Sequence, residues 1–179
     1  MDYKNFFKNY RDSIYGLLND VDTDQLEKSV NLITNKNVVF IAGNGGSASI
    51  ASHVSVDFLK AAKIKSSTFN NSNLITCFAN DYGYENWIKE AIKSNCSIEN
   101  DLMILISSSG KSKNIINAAK YCKENNMKLI TLSGFDKDND LRSYGDVNFY
   151  VSSNDYNFVE MTHHIILVSI VDILSKKNI

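Results

Sequence analysis

The stretch Val38-Val39-Phe40-Ile41-Ala42-Gly43-Asn44-Gly45-Gly46-Ser47, running into Ala48 to Lys60, restricts the fold more than any other part of the chain. It reads as a buried strand, a glycine turn and a helix. Glycines let backbone approach a ligand closely. The following helix starts with unpaired N–H groups at the positive end of its dipole, which suits an anion.

Further apolar runs repeat the pattern. Leu102-Met103-Ile104-Leu105-Ile106, Lys128 to Leu132 and Val147 to Val151 read as strands, with Ser66 to Phe69 as a short one. Helices are predicted over Glu85–Lys93, Asn114–Asn125 and 157–175, and a short one over Leu74–Ala79. Asn80-Asp81-Tyr82-Gly83 reads as a turn, and Gly134-Phe135-Asp136 as the start of a polar loop. Two helices come first, one over residues 2–19 with Phe6, Phe7, Tyr10, Ile14, Leu17 and Leu18 on a stripe, and one from Val21 towards Asn35. Alternating strands and helices imply an α/β three-layer sandwich around a parallel sheet of about five strands. Ligands in such folds bind beyond the carboxyl ends of the strands. No linker or repeat divides residues 1–179, so one domain is expected, with helices 2–36 ahead of the alternating part.

Composition narrows the function classes. A net charge of −1 does not favour nucleic acid or an anionic membrane. No apolar run approaches a membrane span, and no signal peptide is visible. Cys77, Cys96 and Cys122 suit a reducing cytoplasm, with neither disulfide nor zinc-ribbon spacing. No nucleic-acid or membrane partner is therefore expected, and the localisation expected is cytoplasmic.

Gly43-Asn44-Gly45-Gly46-Ser47-Ala48 formally fits a dinucleotide-binding turn, but residues 66–73 lack the acidic ribose ligand, so no nucleotide cofactor is expected. Ser107-Ser108-Ser109-Gly110-Lys111-Ser112 resembles the end of a Walker A loop with Leu105 where that motif needs glycine. Its hydroxyls and glycine at a helix start suit one phosphate monoester. A single serine would suffice as a helix cap. His53 and Asp57 share a helix face that should point to the ligand edge. Glu160 and His164 share another, beside His163, in an apolar helix where ionisable groups need partners or a task. His53, Asp57, Glu160 and His164 together are candidate ligands for a divalent metal.

These motifs, in this order, resemble the sugar isomerase (SIS) domain family, and within it the phosphoheptose isomerases. The resemblance covers nearly the whole chain. It implies aldose–ketose isomerisation of sedoheptulose 7-phosphate to a heptose 7-phosphate through an enediol, for surface polysaccharide. It implies that Asn44, Gly45 and Gly46 contact substrate, that Asn80 and Asp81 hold sugar hydroxyls, and that Ser107, Ser108, Ser109 and Ser112 hold the phosphate. It also implies a zinc-and-catalysis cluster, carried here by His53, by Asp57 in place of a Glu, and by Glu160 in place of a Gln. The position of the final His is Val168, which leaves His164, one turn nearer Glu160, to replace it. Asp57, Glu160 and His164 are the candidate catalytic residues, and Glu160 is also a candidate substrate contact. A small phosphorylated sugar is the expected ligand and a homotetramer the expected assembly. Two alternatives remain open: a non-catalytic phosphosugar-binding regulator, such as a replication-initiator-binding type, and an isomerase of another sugar phosphate.

Overall fold

The computed structural model describes residues 1–177. Two helices, α1 (Tyr3–Asn19) and α2 (Thr23–Thr34), precede β1 (Val39–Gly43) and α3 (Gly46–Lys60). Then come β2 (Ser66–Thr68), α4 (Ser72–Tyr82), α5 (Trp87–Asn95), β3 (Leu102–Ser107) and α6 (Lys113–Glu124). The chain ends through β4 (Lys128–Gly134), β5 (Val147–Val151) and α7 (Tyr156–Lys177). Residues 178 and 179 of the expected domain lie outside the described residues.

The five strands form one parallel sheet in the order β2-β1-β3-β4-β5. Every residue of β1 and β3 is buried, so these strands show no polar alternation. The pleat instead deals their side chains to two cores. Val39, Ile41, Ile104, Ile106 and Ile130 meet Phe58 of α3 and Ile166, Leu167 and Ile170 of α7. Phe40, Ala42, Met103, Leu105 and Leu129 meet Trp87 and Ile92 of α5 and Ile115 of α6. This is the expected α/β three-layer sandwich. The SIS-like order leaves β1 and β3 adjacent although β2 lies between them in sequence. Their carboxyl ends flank the crevice where the strand order reverses.

Two expectations need correction, and a third gains detail. Asn80 and Asp81 belong to the last turn of α4, which runs on to Tyr82, because that segment keeps the helical hydrogen bonds until Gly83 takes a φ of 81°. The loop after β4 contains a 3-10 turn over Asp140–Ser143, whose Leu141 is buried in the second core. Helix α7 is long and apolar enough by length and composition to cross a membrane. Its apolar surface has another use, since Val159, Ile166, Leu167, Ile170, Val171 and Leu174 are buried within the protein. Its face with Met161, Ile165 and Ile173 is exposed. Helix α1 buries no residue, and Tyr3, Phe6, Phe7 and Tyr15 stand open.

Candidate active site

The crevice between β1 and β3 opens into a cleft lined by Asn44, Ser47, Ile106, Ser107, Ser108, Ser109, Ser112, Tyr156 and Glu160. Its volume is about 110 Å³. A water occupies about 30 Å³, so the enclosed part suits a phosphate group while the rest of a sugar lies outside it.

Both glycine/serine turns shape this cleft. Gly45 precedes α3 with a φ of 53°, a value that favours glycine, and supplies no side-chain cap. Ser112 precedes α6 and also leaves its helix without a side-chain cap, and its Oγ accepts a hydrogen bond from Ser107 Oγ at 3.2 Å. Helices α1, α2 and α4 differ, each being capped by Asp2, Asp22 or Asn71. The first N–H groups of α3 are thus free of side-chain caps, as are those of α6 ahead of Ile115, whose N–H donates to Asn114 Oδ1 at 3.0 Å. Asn44 is fixed by a reciprocal amide pair with Asn114, both bonds 2.9 Å, and by Tyr84 Oη, which donates to Asn44 Oδ1 at 3.3 Å.

Glu160 is the ionisable residue among those lining the cleft apart from the Tyr156 phenol. Ser108 Oγ donates to Glu160 Oε1 at 3.4 Å. The carboxylate also lies over Gly46, where a Cβ would come 2.1 Å from Oε2. Lys111, the cation of the serine turn, is paired with Asp136 at 3.2 Å. Asp136 sits below the usual carboxylate range because the Asp138 backbone N–H and then Lys111 favour its charged form.

A second constellation lies further along α3 and α7. His53 Nδ1 is 2.7 Å from His164 Nε2, and His53 Nε2 is 3.2 Å from Asp57 Oδ2. The Asp57 carboxylate can only accept, so it places the proton on His53 Nε2. His53 Nδ1 then accepts from His164 Nε2–H, which leaves the His164 Nδ1 lone pair to take a proton. Burial and the neighbouring His53 lower the pKa of His164, while Asp57 acts against them. His163 faces the other way. It is fully buried, and its Nε2–H donates to Ser133 O at 3.1 Å.

The expected metal quartet is therefore split. His53, Asp57 and His164 satisfy one another, and Glu160 is turned towards Ser108. Among the described residues, no group of three or more His, Cys, Asp or Glu side chains is placed to hold a metal ion. With no three of them grouped as ligands, this arrangement does not fit zinc. Val168 packs against the first core.

Of the residues expected to bind substrate, the cleft gathers Asn44, the four serines and Glu160 beside the glycine turn. Asn80 and Asp81 stand apart on α4, where Asn80 Nδ2 donates to Asp81 Oδ1 at 2.9 Å. The sequence reading missed Ser47, Tyr156 and Asn114. Ser47 and Asn114 each lie within two residues of a recognised turn, which was a usable signal, whereas Tyr156 carried none.

Comparison with known proteins agrees with this fold. A family profile described as SIS domain matches residues 6–134. The chain belongs to the SIS domain family. It is 33% identical over 152 residues to a phosphoheptose isomerase of Aliarcobacter butzleri, covering 78% of this chain and 78% of that protein. A phosphoheptose isomerase of Helicobacter pylori is 29% identical over 163 residues, 86% of this chain and 84% of its own length. In fold, the chain matches the phosphoheptose isomerase of Neisseria gonorrhoeae with a TM-score of 0.86 at 20% identity, over 98% of this chain and all of that one. This SIS domain therefore has its curated relatives among the phosphoheptose isomerases.

Proposed function

We propose that this chain is a phosphoheptose isomerase that interconverts sedoheptulose 7-phosphate and a heptose 7-phosphate through an enediol, in surface polysaccharide synthesis. The observation that carries the reading is the serine cleft at the strand-order reversal, beneath two helix starts without side-chain caps. Ser107, Ser108, Ser109 and Ser112 hold the phosphate, and Asn44, Gly45 and Gly46 contact the substrate where its phosphate joins the sugar. Asn80 and Asp81 serve its hydroxyls if α4 closes over the cleft.

The reacting carbons lie at the far end of the substrate from its phosphate. His53 is seven residues beyond Gly46 on α3, about 10 Å along a helix axis. A seven-carbon chain with a terminal phosphate has a comparable reach. His164 is thus the base in this mechanism. Its neutral imidazole removes the proton beside the carbonyl and returns it to the neighbouring carbon, while the hydroxyl proton passes to the former carbonyl oxygen. His53 holds the ring, and Asp57 favours the imidazolium that forms, as the Coulombic effect on His164 indicates. Glu160, at the phosphate end, contacts substrate and does not transfer the carbon-bound proton. No step is routed through zinc. Metal analysis of purified protein, beside activity with and without added zinc, tests that assignment.

The assembly in this reading is a homo-oligomer, by family resemblance a tetramer, and the aromatic face of α1 supports it. A cytoplasmic setting accords with the three free cysteines.

Incubation with sedoheptulose 7-phosphate in deuterated water tests the reaction. Deuterium should enter the sugar, and His164→Ala should lower kcat by about 10²–10⁴-fold with little change in KM. Tight binding without exchange would instead identify a phosphosugar-binding regulator.

A further inference from the structure

The carboxylate of Glu160 stands in a cleft otherwise built for an anion. Oε1 takes the Ser108 hydroxyl at 3.4 Å. Oε2 lies so close over Gly46 that a methyl group there would be 2.1 Å away. That position is at the start of α3, a helix end with no side-chain cap. The carboxylate therefore takes one serine hydroxyl and lies against the first residue of α3, next to the helix end that a phosphate would use. Lys111 is paired with Asp136, and none of the cleft-lining residues is a cation.

We propose that Glu160 is a specificity-determining residue that competes with the ligand's phosphate for Ser108 and the start of α3, so that the site retains sugar phosphates and rejects free phosphate. The inference rests on the phosphosugar reading of the cleft. Two anions at one helix end repel each other, so an incoming phosphate displaces the carboxylate. A sugar offsets the displacement, because its hydroxyls donate hydrogen bonds to the carboxylate in its new position. Inorganic phosphate has no sugar hydroxyls to offer. The residue thus weakens every phosphate ligand and restores binding only to those carrying a polyol.

Calorimetric titration of the full chain with inorganic phosphate and with sedoheptulose 7-phosphate, at one pH and salt concentration, tests this. Glu160→Gln should bind inorganic phosphate about tenfold tighter. It should gain less for the sugar phosphate, so the ratio of the two Kd values shrinks. Glu160→Met, uncharged and of similar length, should behave likewise, and Glu160→Asp, which keeps the charge, should stay weak for phosphate. Thermal melts establish that each variant is folded. Unchanged or weaker phosphate binding in both uncharged variants overturns the proposal while leaving the function reading intact. If the unaltered protein binds no sedoheptulose 7-phosphate, the function reading fails and the proposal with it.

Discussion

His163 shows what a single buried ring costs. Its Nε2–H is satisfied by Ser133, but Nδ1 has no partner. Desolvation is the larger influence and lowers its pKa to about 4, against a smaller upward effect of the Ser133 bond. The folded protein keeps the ring neutral while the unfolded chain takes a proton below its ordinary value of 6.5. Stability from this residue is therefore whole above pH 6.5 and falls steadily as the pH drops towards 4. The loss is about 3 kcal/mol across that window. Denaturant melts at stepped pH should show it, and His163→Gln, which cannot titrate, should have a flatter profile over the same range. Asp57 was readable as a partner of His53 from its spacing alone. His164 was grouped with His53 only as a fellow metal-ligand candidate, and their direct ring contact was not readable, because that depends on how α3 packs against α7.

The elements that build the cleft were legible because each declares itself locally. The run from Leu102 to Ile106 is apolar throughout, and the serine turn follows at once. Both facts survive in β3 and the start of α6. Ser109→Ala should raise the Kd for the sugar phosphate by about tenfold, the worth of one hydrogen bond to a charged group. Its melting temperature should barely move, because Ser109 is only partly buried. A titration that finds unchanged affinity would remove that serine from the phosphate site. Element boundaries were less legible. Asn80 and Asp81 are polar and followed by glycine, which locally favours a turn. Helix α4 nevertheless continues through them, with Phe78 and Ala79 packed against the second core. Tertiary packing outweighed local propensity there.

At the scale of the molecule, α1 lies outside both cores, touching the rest mainly through α7. Tyr10 packs against Phe158 in a tilted pair with ring centroids 4.7 Å apart, while Phe7 is 70% exposed. An exposed aromatic stripe beside the open Met161 and Ile165 of α7 is a poor monomer surface. Phe7→Asp should shift the protein to a smaller species in analytical ultracentrifugation and leave its circular dichroism spectrum unchanged. A sedimentation coefficient equal to that of the unaltered chain would count against α1 as the assembly face.

The strand order has a consequence for how the chain is made. Strand β1 lies inside the sheet, yet its partner β3 begins at Leu102. During synthesis, Val39 to Gly43 must wait for some sixty further residues to emerge, with only the three-residue β2 available on its other side. Loop closure over that separation is slow compared with local helix formation. The nascent chain therefore carries an unpaired apolar strand for several seconds at ordinary ribosome speeds, about 5–20 residues per second. Ribosome-bound fragments ending before Leu102 should be captured by chaperones that recognise apolar extended segments, and fragments extended well past β4 should escape them.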